Sequence, residues 1–334
     1  MLVPLLALGA SLGRAGPPPT AYQVDLHLDT PTQLLTRRVP FDAPTGLDAG
    51  LAQLRAGGTN IAVEVLWPGQ KVDPAARVLD LLRKLEAEDN RLPDVALARS
   101  PLDARRIAGG GGIAWLLSME GAHGLGADWQ PRLAELHARG LSMLGLVWSN
   151  SNQFAGSSGD GGGGLTDDGR LLVAEARRRG IVLDVSHASR AATLEVCQGT
   201  TIPVIASHSD AFAVHQSARN LSDDEIRCIA ATGGVIGLNF HATFVGSPAD
   251  IAAVANHADH LVAVGGPGVV ALGSDYDGYI RKPAGLEDST RLPDLWAELR
   301  RRGWSEDQLS GLRGGNFLRA WQVVLDGATA GKPG

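Results

Sequence analysis

Beyond a Pro17-Pro18-Pro19 spacer, short apolar runs alternate with longer Ala-, Leu-, Arg- and Glu-rich stretches whose apolar residues recur with helical period. The runs at 24–28, 60–66, 113–119, 143–147, 181–185, 204–207, 235–240 and 269–273 predict eight strands. Stretches at 74–90, 129–139, 168–179, 189–198, 223–232 and 249–264 predict helices between them, several opening at Ser or Asp and closing at Gly. Strands alternating with helices are the signature of βα units, and eight units close most naturally into a parallel barrel. A doubly wound open sheet is the alternative, but the glycine-rich dinucleotide fingerprint is not visible after the first run. The pattern predicts one catalytic-sized domain over 21–325, an N-terminal extension over 1–20 and a short tail over 326–334.

Several runs end on a side chain that an apolar strand does not need. His27 and Asp29 close the first, Glu120 the third, His187 the fifth and His208 the sixth. In a parallel barrel the C-terminal ends of all strands share one rim, so these residues meet although they are far apart in sequence. His27 and Asp29 are two positions apart and face the same side. A carboxylate such as Glu120 at the end of a buried strand carries a desolvation cost of several kcal/mol, which a cation would offset. Imidazole and carboxylate suit zinc and similar ions, and Glu120 could bridge two of them.

Composition narrows the function further. At 334 residues, 44% of them hydrophobic, the chain can bury a core of the size a barrel of roughly 250 residues plus insertions needs. Its 36 acidic and 30 basic residues are mixed along the chain, with no basic stripe, which argues against a nucleic-acid partner. Cys197 and Cys228 indicate neither a disulfide scaffold nor a cysteine zinc site, so a metal must sit on His and carboxylate. Residues 1–10 are apolar and of signal-peptide length, yet no Lys or Arg precedes them; a cytoplasmic location is favoured, with export the alternative. No segment reaches the ~20 uninterrupted apolar residues of a spanning helix.

The motifs Asp25-Leu26-His27-Leu28-Asp29-Thr30, Met119-Glu120-Gly121-Ala122-His123, Leu183-Asp184-Val185-Ser186-His187-Ala188-Ser189, Ser207-His208-Ser209, Ala218-Arg219-Asn220 and Gly273-Ser274-Asp275-Tyr276-Asp277-Gly278 resemble those of the renal or membrane dipeptidases. Gly314-Gly315-Asn316-Phe317-Leu318-Arg319 is similar to that family's C-terminal motif, so the resemblance runs from about Val24 to Arg319. It implies a binuclear zinc TIM barrel, with two Zn2+ per chain, that hydrolyses small dipeptides through a metal-bridging hydroxide and often accepts a C-terminal D-residue. His27 and Asp29 would hold one zinc, His187 and His208 the other, and Glu120 would bridge them. Asp275 would take the proton of the bridging water and pass it to the leaving amine. Arg219 would bind the substrate's terminal carboxylate, for which a planar guanidinium is suited. His123 would orient Glu120 or line the pocket, while Asp184 and Ser186 would support the site. The resemblance also favours a homodimer.

One position departs from the family. After the fourth strand its members usually carry a histidine that binds substrate and stabilises the developing oxyanion, whereas this chain reads Val147-Trp148-Ser149-Asn150. An indole donates one hydrogen bond but carries no charge. Either Trp148 donates that bond, or Asn150 or Asn152 replaces it, or zinc alone handles the oxyanion; a further alternative makes Trp148 a stacking wall for a bulky side chain. The alternatives to a dipeptidase are a metal-dependent amidohydrolase of acyl-amino acids, lactones or cyclic amides, and a ligand-binding relative with weak activity. The glycine run 159–164 reads as a mobile lid or a passive linker, and 109–112 as a turn.

Overall fold

The computed structural model describes residues 22–70 and 73–330, so the predicted N-terminal extension lies outside the described residues. Nine strands occur among them: β1 (Val24–Leu28), β2 (Ile61–Leu66), β3 (Val95–Leu97), β4 (Ile113–Glu120), β5 (Leu141–Gly145), β6 (Val182–Asp184), β7 (Val204–Ile205), β8 (Ile236–Leu238) and β9 (Val270–Leu272). Parallel pairing runs β1-β2-β4-β5-β6-β7, and β8 pairs with β9. Two bridges join these arcs, Ala206 to Ile236 and Leu28 to Tyr276. Amides complete the joins: Gly237 N donates to Ala206 O, Asp275 N to His27 O and Asp29 N to Tyr276 O. The strands thus form the expected parallel barrel, with the helices between them on the outside.

Eight of the nine strands fall on predicted runs. The unpredicted β3 is three residues long and pairs beside the start of β4, outside the ring. The fourth predicted strand sits two residues early, at Leu141–Gly145. Helix ends follow their caps: Asp73, Thr166 and Ser189 side chains accept amides of the first turn, and Gly180 closes Asp167–Arg179 at φ 74. Gly110 and Gly111, the latter at φ 86, form the predicted turn.

The barrel interior is layered. Val24, Leu26, Ile61, Val63, Leu116 and Met143 fill the lower part with Phe317 and Trp321 of the helix Asn316–Ala330, which covers the N-terminal mouth. The C-terminal motif fastens this lid: Asn316 Nδ2 donates to Pro267 O and Val270 O, and Arg319 to Gly233 O and Gly268 O. That helix continues to Ala330, past the domain end placed at 325. Polar residues crown the opposite, C-terminal end, because strict alternation along β4 puts Glu120 on the inward face with Leu116. On β1 a register shift between Asp25 and Leu28 adds one residue. The bulge lets Val24 and Leu26 line the interior while His27 and Asp29 also face it, two demands no regular strand meets together.

Candidate active site

Glu120 sits at the centre of the crown, 6% exposed. Its Oε2 lies 3.7 Å from His27 Nε2, which is itself 3.9 Å from Asp29 Oδ2. Its Oε1 lies 3.0 Å from His187 Nε2 and 3.4 Å from His208 Nε2. One carboxylate therefore turns each oxygen to a different pair of candidate ligands. The structure brings together all five residues that the sequence singles out as metal ligands, and Asp275 joins His27 and Asp29.

The histidine tautomers follow from the groups behind them. The Ser207 hydroxyl donates to Asp184 Oδ2 at 2.5 Å, so its oxygen is left to accept. His208 Nδ1 lies 2.8 Å and His27 Nδ1 3.2 Å from that oxygen. Both rings then carry their protons on Nδ1, and both Nε2 lone pairs face Glu120. Asp184 also falls within reach of His27 and His208 as a potential ligand. Its oxygens are taken by the Ser207 hydroxyl and the amides of Ser186 and Ser207, so it serves the ligands from behind. Gly237 and Gly273 admit Ser207 here, since a Cβ on either would lie 1.9 or 1.8 Å from the Ser207 carbonyl oxygen. Ser207 escaped the sequence reading because it looks like an ordinary residue closing an apolar run. Ser207→Ala is expected to weaken binding of a divalent metal by about 10- to 100-fold with little change in fold, as read by metal titration beside circular dichroism.

Electrostatically the cluster is short of positive charge. Burial, then the charges of Asp275 and Asp277, pushes Asp29 well above the usual carboxylate range. Burial, then Asp29 and Asp275, does the same to Glu120, and burial raises Asp275 against the pull of Arg219. Burial holds His187 and His208 well below the ordinary imidazole value and His27 at about 3. His27 Nε2 and Asp29 Oδ1 are buried without a hydrogen-bond partner. Neutral imidazoles, that of His27 with an unpartnered Nε2, beside crowded carboxylates are a donor set that suits divalent cations, so the residues fit the implied metals.

His187 and Asp275 hold φ of 65, in the left-handed region that few non-glycine residues adopt. The segment before the glycine run explains how His187 keeps it: Ser158 N donates to the His187 carbonyl, and the Ser157 hydroxyl, which donates to Trp148 O at 2.6 Å, lies 3.1 Å from the same carbonyl. The loop is tied down in turn, by Ser151 Oγ to Asp160, Gly156 N to Gly164 O and Ser189 Oγ to Gly163 O. A Cβ at Gly159 would lie 2.2 Å from Ser149 O, so that glycine serves close packing. The run 159–164 is thus packed in place next to Ser157 and Ser158, which hold the His187 backbone, where composition alone suggested a lid or a linker.

The remaining predicted residues separate. Trp148 lines the pocket, its ring 5.0 Å from that of Trp67 and 6.5 Å from that of His187. Asn150 is exposed and paired with Gln70, away from the cluster. Asn152 holds the loop, donating to Leu146 O and accepting from Phe154 N. His123 places Nε2 2.9 Å from the Gly69 carbonyl, so it braces the loop after β2 and does not orient Glu120. Arg219 is buried; Nη1 donates to Ser209 Oγ and Nη2 to the His208 carbonyl, while Nε has no partner. The cavity above the cluster, about 300 Å³, is walled by Trp67 and Trp148 and by Phe244, Tyr279 and Ile280, with His241 among its lining.

The family model of the membrane dipeptidases, Peptidase family M19, matches residues 20–330. The chain belongs to this family. Dipeptidase aclJ of Aspergillus oryzae is 38% identical over 216 residues, covering 63% of this chain and 51% of that relative. The uncharacterized dipeptidase C965.12 of Schizosaccharomyces pombe is 33% identical over 255 residues, covering 73% and 61%. The chain thus spans between half and two thirds of the length of these curated relatives. A metallo peptidase from Rhodobacter sphaeroides, solved with a phosphinate mimic of the dipeptide L-Ala-D-Ala, superposes with a TM-score of 0.84 at 28% identity over 92% of this chain and all of that one. The M19 chain described here thus shares its barrel with a metallopeptidase that binds a dipeptide mimic.

Proposed function

We propose that the protein is a zinc dipeptidase that cleaves small dipeptides with a free C-terminal carboxylate. The observation that carries this is the division of the two Glu120 oxygens between His27–Asp29 and His187–His208. Two zinc ions held there would acidify a water and polarise the scissile carbonyl. The protein's own groups do the rest. Asp275 accepts the proton that the attacking water loses and returns it to the amine nitrogen as the C–N bond breaks. Arg219 has used two of its N–H groups on Ser209 and His208, and those left over are suited to the substrate's terminal carboxylate. A cavity of about 300 Å³ above the cluster has room for a small substrate such as a dipeptide. The L-Ala-D-Ala mimic seen in the Rhodobacter sphaeroides relative supports acceptance of a C-terminal D-residue here.

Metal analysis beside hydrolysis of a panel of L-L and L-D dipeptides tests this reading. About two zinc per chain with turnover of the panel is the expected result. Zinc without turnover would point to acyl-amino acids or lactones, and no zinc would remove the metal centre. Arg219→Ala separates these substrate classes. It is expected to raise KM for a free dipeptide by about 100-fold and to leave the slower cleavage of the C-terminal amide unchanged. Equal losses on both substrates would take the carboxylate away from Arg219.

A further inference from the structure

Amide hydrolysis places negative charge on the former carbonyl oxygen, and a hydrogen-bond donor aimed at that oxygen is worth more in a buried site than in water. Among the lining side chains, Tyr279 turns its hydroxyl to Thr36 Oγ1 at 3.1 Å, and Trp67 Nε1 is wholly buried, out of a substrate's reach. His187 faces Glu120.

His241 differs from all of them. It follows β8 and lines the cavity, and its Nδ1 accepts the Thr243 amide at 3.2 Å. A neutral imidazole whose Nδ1 accepts must carry its proton on Nε2. Among the described residues, that Nε2–H donates to none. Burial, then the charges of Arg219 and Arg281, holds the ring below the ordinary imidazole value, which keeps it uncharged.

The ring is also fixed in place. It lies 4.3 Å from the Phe244 ring, and its backbone N–H donates to Asn239 Oδ1 at 2.5 Å. The Asn239 amide donates in turn to Asp275 Oδ2 at 3.3 Å. One side chain therefore sets both the imidazole and the proton-accepting carboxylate.

We propose that His241 donates a hydrogen bond from Nε2–H to the scissile carbonyl oxygen of the dipeptide, and that Trp148, packed edge-on against Trp67, serves as a wall of the pocket. This rests on the dipeptidase reading. It makes His241 a catalytic residue that acts uncharged, supplied by the segment after β8, whereas Trp148 comes from the segment after β5.

The test uses the zinc-loaded full chain, with His241→Ala, His241→Gln and Trp148→Phe. Dipeptide kinetics, zinc content and calorimetric binding of a phosphinate dipeptide analogue, whose tetrahedral oxygens mimic the charged intermediate, are measured for each. H241A is expected to lower kcat by about 100-fold or more, with KM within about threefold and zinc unchanged. It should weaken phosphinate binding by a similar factor, and H241Q, which keeps an N–H at the same reach, should recover part of both. W148F should act mainly on KM, with a kcat loss at least about tenfold smaller than that of H241A. A rise in KM at unchanged kcat in H241A, or a larger kcat loss in W148F, would overturn the assignment. Should the wild type cleave no dipeptide, the dipeptidase reading falls and the phosphinate ratio decides the donor alone. About 100-fold weakening in H241A then keeps it, and less than about threefold removes it.

Discussion

Glu120→Gln is expected to emerge from purification without zinc and without measurable dipeptide hydrolysis, yet folded. The amide offers one neutral oxygen where the carboxylate offers two charged ones, and both are used, towards His27 on one side and His187 and His208 on the other. The loss of affinity should exceed the about 10- to 100-fold that a group behind the ligands carries. Stability should move the opposite way. In the folded chain burial, Asp29 and Asp275 raise Glu120 well above its unfolded value, so the zinc-free folded state binds more protons than the unfolded one. Its stability therefore falls as pH rises from the ordinary carboxylate range through the raised one. Chelated wild type should melt lower at about pH 8 than at about pH 5.5, and chelated E120Q should melt above chelated wild type at the higher pH, because a neutral amide ends the crowding. Elemental analysis and paired melting curves decide it. A variant that keeps two zinc per chain would show that Glu120 does not bridge, and an unaltered pH slope would show that the crowding is relieved elsewhere.

Much of the metal centre could be read in advance for one reason: a parallel barrel gathers the ends of its strands at one rim, and a polar ligand ending an apolar run is visible in one dimension. His27, Asp29, Glu120, His187 and His208 satisfy that criterion, and the structure brings them together. His241 satisfies it too, one residue beyond the run 235–240, and was passed over because no motif surrounds it. What stayed hidden depends on backbone detail that residue types do not record. The added residue in β1 is invisible in Val24–Leu28, and three residues of β3 are too few to show a period. Asn150 looked like a neighbour of the site because it follows Trp148, but the chain turns and carries its side chain to Gln70. The glycine loop misled for a related reason: composition reports what a segment can do alone, whereas contacts with Ser149, Ser189 and His187 fix what it does here.

Replacing Asp275 with Asn should separate proton transfer from metal binding. Asp275 lies with His27 and Asp29 and accepts from the Asn239 amide. It is therefore close enough to serve either the water or a cation, and the variant tells the two apart. As the base, Asp275 must be ionised to receive the water's proton and protonated to supply the departing amine, so its loss strikes both halves of the reaction. kcat should fall by about 10³- to 10⁴-fold, with KM within about threefold and zinc close to that of the wild type. In the wild type, kcat/KM should rise with pH as Asp275 ionises; burial raises its pKa in the metal-free chain, and cations bound beside it would lower it again in the loaded enzyme, placing the limb further to the acid side. That acid limb should vanish in D275N, since an amide does not titrate in this range. A loss of zinc in step with activity would make Asp275 a ligand. A kcat within about tenfold of the wild type, with the limb intact, would place the proton's acceptor on another residue.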